Sequence, residues 1–217
     1  MEMTASDFEA LVHDIVLPAF PASEVLPADE LVAAFARGDL AVVADEQRRG
    51  VAIGTRPSDD VMLLTWLAVG PAGRGQGVGS ALVRAALAEW QERFDPLLIV
   101  GEVEDPAYHA GSAATGDPAA RLRFYQRLGA RRIELPFVMP RVAPDQPRVD
   151  HMLLLALGGR ALQSEHALQP RDERAIGPAL ERFLRAYVAA SGEERVDGSY
   201  ADDIEAMFAA APSARLG

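Results

Sequence analysis

The stretch Val61-Met62-Leu63-Leu64-Thr65-Trp66-Leu67-Ala68-Val69, then Gly70-Pro71-Ala72-Gly73-Arg74-Gly75-Gln76-Gly77-Val78-Gly79-Ser80, then Ala81 to Phe94, decides how this chain is read. An apolar run leads into a glycine-studded loop, and the loop leads into a helix-patterned segment. Strand, backbone-rich loop and helix start, in that order, build a site for a phosphate-bearing ligand. Glycines let successive backbone N–H groups turn inward with no side chain in the way, and the helix N-terminus favours an anion. A Walker A loop is excluded because it needs a lysine, and the chain has none. A dinucleotide fingerprint counted from Gly75 and Gly77 reaches Ser80 where a third glycine is required. A meander of strands precedes the loop, which also argues against a βαβ unit.

Upstream, Ser6 with Glu9 reads as a capping box, and Phe8, Leu11, Val12, Ile15 and Val16 follow at helical spacing. Pro18 and Pro21 stop that helix. A second begins after Pro27-Ala28-Asp29, places Leu31, Val32 and Phe35 on one face, and ends at Gly38. Leu40–Ala44 and Val51–Thr55 read as strands joined by a turn. Downstream, Leu82, Val83, Ala86, Leu87, Trp90 and Phe94 share a helical face, and Asp95-Pro96 ends it. Leu97–Val100 reads as a buried strand running into Gly101-Glu102-Val103-Glu104, and 105–116 as a loop. Asp117-Pro118 starts a helix that runs to Gly129. Arg132–Leu135 with Phe137–Met139 reads as a strand, Pro140–Pro147 as a turn, and Val149–Leu157 as the final strand. The composition shifts at Gly158-Gly159. Beyond it Ile176, Leu180, Phe183, Leu184, Tyr187 and Val188 form an amphipathic stripe, and Ile204, Met207 and Phe208 suggest a shorter helix.

At 217 residues the chain holds one sizeable domain, or a domain plus an appended piece. The absence of cysteine excludes disulfides, cysteine-ligated zinc and a cysteine acyl-enzyme. A net charge of −11 with no basic run makes nucleic acid a poor partner. No apolar run approaches the roughly 18 residues of a membrane span, and the acidic first residues do not resemble a signal peptide. The expected location is the cytoplasm. His13, His151 and His166 show no metal-ligand spacing, so no metal is expected.

Arg74-x-x-Gly77-x-Gly79, after a strand and before a helix, resembles the acetyl-CoA loop of the GNAT superfamily of N-acetyltransferases, and Leu67-Ala68-Val69-Gly70-Pro71 resembles its lead-in. A second motif, Arg123-Phe124-Tyr125-Gln126-Arg127-Leu128-Gly129-Ala130, resembles the helix end found later in that family. The resemblance runs roughly from Phe35 to Leu157. The family's usual first strand is not evident, and the tail lies outside the pattern.

The resemblance implies an α/β fold with a mixed, mostly antiparallel central sheet flanked by helices. Here that makes an acyltransferase domain over 1–159 and a helical C-terminal extension over 160–217. It implies acetyl-CoA, or another acyl-CoA, as co-substrate. The backbone of Arg74, Gly75, Gln76, Gly77, Val78, Gly79 and Ser80 would cradle the pyrophosphate, and Leu67, Ala68 and Val69 would pair with the pantetheine amides. Tyr125 matches the tyrosine that protonates the departing thiolate; otherwise it is a core aromatic beside Leu122 and Leu128. Glu102, His109 and Glu104 are candidate bases, against a reading as solvated loop charges. The implied reaction is acetyl transfer to an unidentified amine by direct attack in a ternary complex. The competing reading is a non-catalytic acyl-CoA-binding or regulatory module. The tail stripe covers an open face of the domain or pairs with a second subunit in a homodimer.

Overall fold

The computed structural model describes residues 3–111, 116–142, 146–163 and 170–217, the side chains of 170–174 excepted. His166, and parts of the loops over 105–116 and 140–147, lie outside the described residues. The chain opens with α1 (Ala5–Leu11), continues through one π-helical stretch (Val12–Val16) and a short 3₁₀ turn, and reaches α2 (Ala28–Arg37). Strands β1 (Leu40–Ala44), β2 (Gly50–Thr55) and β3 (Val61–Val69) form an antiparallel meander. Helix α3 (Val78–Phe94) leads to β4 (Leu98–Glu104), and α4 (Pro118–Arg127) leads to β5 (Arg131–Glu134) and β6 (Met152–Gly158). The tail supplies α5 (Arg160–Gln163), α6 (Pro170–Ala190), α7 (Asp202–Ala210) and β7 (Arg215–Leu216). The strand order is β1-β2-β3-β4-β6-β5-β7, with β3 and β4 the parallel pair.

Three local expectations are corrected. The capping box of α1 is Thr4 with Asp7, not Ser6 with Glu9. Thr4 and Asp7 bond reciprocally, and Arg48 from the β1–β2 turn grips Asp7 at 2.5 Å, a tertiary contact that no local pattern contains. Phe137–Met139 is not a strand. Pro136 and Pro140 flank it without N–H donors, and the Val138 N–H points to Met207 Sδ at 3.3 Å instead of a neighbouring strand. Finally, β6 starts at Met152 and is not the last strand, because β7 pairs antiparallel with β5.

Each face of the sheet has its own cover. Helix α3 buries Val78, Leu82, Val83, Ala86 and Trp90 against one face, where Met62, Leu64, Ile99 and Leu155 point. On the other face α1 and α2 cover Val51, Ile53, Trp66 and Ala68. The rest of that face (Val61, Leu63, Val100, Leu154 and Ala156) packs against Leu180, Phe183 and Leu184 of α6 and Met207 and Phe208 of α7. Alternation along each strand creates these two sets, since successive side chains leave on opposite sides. Helix α6 sits hard against the 211–213 turn because Gly177 has no side chain: a Cβ there would lie 2.1 Å from the Pro212 carbonyl oxygen.

Phe183 is completely buried between α6 and the sheet. Phe183→Ala should cost about 3–5 kcal/mol in urea unfolding and lower a single cooperative transition. An unchanged main transition with a separate early one would show that the tail does not fold with the sheet.

Candidate functional site

β3 and β4 are hydrogen-bonded only from Val61–Leu64 to Leu98–Gly101, although β3 continues to Val69 and β4 to Glu104. Two register irregularities lie near the point of parting, one with its extra residue on β3 and one with its extra residue on β6. The β2–β3 register steps from Ile53↔Trp66 to Gly54↔Leu64, leaving Thr65 as the extra residue, and the β4–β6 register steps between Ile99 and Val100. The Thr65 hydroxyl is 2.9 Å from that of Thr55. Beyond Leu64 the β4-facing edge of β3 therefore has no strand partner among the described residues.

The glycine loop leaves the end of β3. The Gly70 N–H donates to the Arg49 carbonyl at 2.8 Å, a turn over 71–73 follows, and α3 begins at Val78. Gly75 (φ 74°) and Gly77 (φ 77°) are left-handed, a conformation that costs other residues about 1–2 kcal/mol. Among the described residues no side chain caps α3, so its first N–H groups are left for an outside acceptor. Arg49 braces the loop. Its guanidinium pairs with Asp45 through two bonds of 2.8 and 2.9 Å and donates to Gln76 Oε1 at 3.2 Å. The Arg74 side chain is exposed and turns back to the Val69 carbonyl at 3.3 Å, while Gln76 donates to the Ala72 carbonyl. Val78 and Ala68 are core residues, so only their backbones face this region. Uncapped N–H groups, left-handed glycines and an unpaired strand edge together fit a diphosphate joined to an amide-bearing arm.

A cavity of about 200 Å³ occupies the gap between the strands, lined by Leu67, Glu102, Phe124, Tyr125, Arg121 and Glu24 among others. It adjoins the loop across Phe124, whose ring lies 3.7 Å from where a Cβ on Gly79 would sit. Tyr125 and Glu102 thus face one cavity from α4 and β4. Burial raises the Tyr125 phenol to about 12, with the charge of Arg121 opposing, so its proton is firmly held. Glu102 is part-buried as a residue, yet its carboxylate is enclosed. Tyr187 of α6 donates to Oε2 at 3.0 Å, and Oε1 has no hydrogen-bond partner among the described residues. Burial pushes this carboxyl up to about 7, the Tyr187 bond opposes the shift, and the charge of Glu24 adds to it.

The other base candidates lie differently. His109 is not among the cavity's lining; its Nε2 is 2.7 Å from the Asp150 carbonyl and its Nδ1 is 3.7 Å from Glu104. Glu104 is engaged by Arg121 at 3.1 Å. Glu24 and Tyr187 were missed in the sequence. Glu24 sits in a proline-flanked turn whose carbonyl accepts from Trp66 Nε1 at 2.8 Å, and burial raises its carboxyl, with the charge of Glu104 adding. Tyr187 is recorded in the sequence only as one position of an apolar stripe. Among the described residues no cluster of His, Asp and Glu is arranged to hold a metal ion, and no helix is long and apolar enough to cross a membrane.

Residues 36–129 match the family model of the acetyltransferase (GNAT) domain. No curated protein matches the sequence. Among solved structures, a protein assigned to the GNAT family of acetyltransferases from Bacteroides thetaiotaomicron superposes with a TM-score of 0.59 at 20% identity, covering 87% of this chain and 97% of its own. One assigned as an acetyltransferase from Acinetobacter baylyi gives a TM-score of 0.50 at 14% identity, covering 72% and 88%. At these identities the likeness speaks for the fold, and the family model speaks for the domain. The sheet that parts after Leu64 and the loop braced on Arg49 both fall within the matched segment, and residues 36–129 are similar to the acetyltransferase domain of the GNAT family.

Proposed function

We propose that the protein transfers the acetyl group of acetyl-CoA to an amine by direct attack, with Tyr125 as acid and Glu102 as base. The observation that carries this reading is the single cavity between β3 and β4 that both side chains face. Bound acetyl-CoA supplies a thioester whose carbonyl carbon is the point of attack. The N–H groups of residues 74–80 hold its diphosphate, and the open edge of β3 over Leu67, Ala68 and Val69 pairs with the amides of its arm. A backbone N–H near Val69 stabilises the negative charge that develops on the carbonyl oxygen. Glu102 takes a proton from the amine nitrogen on Oε1, the oxygen without a partner among the described residues. The C–N bond forms, the C–S bond breaks, and Tyr125 gives its proton to the leaving sulfur. A carboxyl near 7 and a phenol near 12 are set apart in the way a base–acid pair requires. His109 is the alternative base and would have to act through water. The absence of cysteine agrees with a route that has no cysteine-linked acyl-enzyme.

Tyr125→Phe should lower kcat by about 10²–10⁴ in a free-thiol release assay, while acetyl-CoA still raises the melting temperature. Glu102→Gln should lower kcat over a similar range and remove the rise of kcat/KM with pH through about 7 that an ionising base imposes. Release of no free CoA from any amine, with the thermal shift by acetyl-CoA retained, would leave an acyl-CoA-binding module instead.

Glu102 also makes a prediction for folding. Its carboxyl sits near 7 when folded and near 4.5 when unfolded, so between these values the folded state binds more protons. Stability therefore falls as pH rises from about 4.5 to 7, and the penalty is complete above that window. Glu102→Gln should be more stable than the parent at about pH 8, by up to ~3 kcal/mol, and lose that advantage near pH 4. Urea midpoints at the two pH values check this, and an equal difference at both would refute it.

A further inference from the structure

A second cavity, of about 600 Å³, opens on the side of the sheet that α6 covers. Glu24, Thr65 and Trp66 line it and also line the smaller cavity between β3 and β4, so the two meet at these residues. Tyr187 stands at the same junction, lining the larger cavity while donating to Glu102 in the smaller one. An acceptor lying in the large cavity can therefore present its end to the proposed reaction centre.

The lining of the larger cavity is mixed in polarity. Where it meets the smaller cavity it is acidic, a floor with part-buried Glu24 in the wall and Glu102 just behind Tyr187. Leu26, Leu40, Leu63 and Trp66 supply its apolar lining. Its exposed mouth carries three arginines, Arg56, Arg93 and Arg141, against one carboxylate, Asp39. That balance runs opposite to a chain whose net charge is −11. Asp39 is already paired with Arg37 at 2.7 Å. The guanidiniums of Arg56 and Arg93 both lie against the Phe94 ring at the rim, 4.8 and 4.7 Å from its centroid. Arg93 forms no ion pair among the described residues, and Arg56 reaches only Asp59 at 3.3 Å, whose side chain is fully solvated.

We propose that the acceptor is a small primary amine on an apolar body with an anionic group at its far end. The amine sits at the Glu24–Glu102 floor and the anion on Arg56 and Arg93 at the mouth. This rests on the amine-transfer reading above and adds the acceptor's class. A polyamine, with cations at both ends, meets three arginines at the mouth and is disfavoured.

The test uses three acceptors of one chain length with acetyl-CoA: hexylamine, its ω-carboxylate analogue aminohexanoate, and hexanediamine. Aminohexanoate should show a kcat/KM about tenfold or more above hexylamine, with the diamine lowest, as expected for one charge-assisted contact. The double variant R56Q/R93Q should remove that preference while the thermal shift by acetyl-CoA is retained. Equal kcat/KM for all three amines, or a preference unmoved in the double variant, overturns the proposal. Thermal shifts by each amine in the presence of CoA separate the two readings. Stabilisation by aminohexanoate that depends on Arg56 and Arg93, without acetylated product, sustains the acceptor class and defeats amine transfer. Absence of any difference among the three amines in both assays defeats the acceptor class, whatever the turnover.

Discussion

The loss of hydrogen bonding between β3 and β4 after Leu64 and Gly101 is the constraint on which the site depends. A sheet that ends its ladder midway leaves backbone donors and acceptors without partners, and such groups are costly where water cannot reach them. The cost is tolerated because the gap is a cavity and not packed core. A bulge at Thr65 bends β3 at this point, and Leu157 is the extra residue where β6 pairs with β4. The same bulge that opens the sheet sets the Thr65 hydroxyl against Thr55, where the two cavities meet. Opening, cavity and junction thus lie together at one place in the sheet.

The parting also sorts the polar side chains. Tyr125 enters the gap from α4, on the face that α3 covers, together with Phe124, which links it to the glycine loop. Glu102 lines the same gap from β4, where Tyr187 on α6 donates to it. A carboxylate enclosed with one hydroxyl for company is held less favourably than in water, and for that reason its proton affinity is high. Glu104, two residues on, has a cation beside it. Arg121 stands 3.1 Å away, so its charge is compensated.

Much of the frame was legible because it is written in periodic patterns. The strands over 40–44, 51–55 and 61–69, the helix ending at Phe94 and the proline-capped helix after Asp117 all follow from spacing and from residues with one dominant conformational use. The glycine loop was legible for the same reason, since Gly75 and Gly77 are where only a glycine sits without strain. Features decided by distant partners were not legible. Thr4 outcompetes Ser6 as the cap because Arg48 holds Asp7 from another element. Phe137–Met139 fails as a strand because two prolines isolate it and Met207 takes its donor. Glu24 and Tyr187 carry no local signature. One is placed by Trp66 and the other by the packing of a helix on a sheet far away in the chain.

That division has a physical basis in how the two halves of the site are made. The loop and the open strand edge offer backbone groups, whose positions follow from a short motif within the matched segment 36–129. The opposite wall acts through side chains of α6, whose own apolar stripe must first be buried against Val61, Leu63, Val100 and Leu154. Those strand residues are apolar on that face whether or not a tail exists, and without α6 they would stand in water. Covering them fixes the rotation of α6, and the rotation brings Tyr187 to Glu102. The tail's packing energy and its contribution to the cavity therefore come from the same contacts, and a helix register slip that spoiled one would spoil the other.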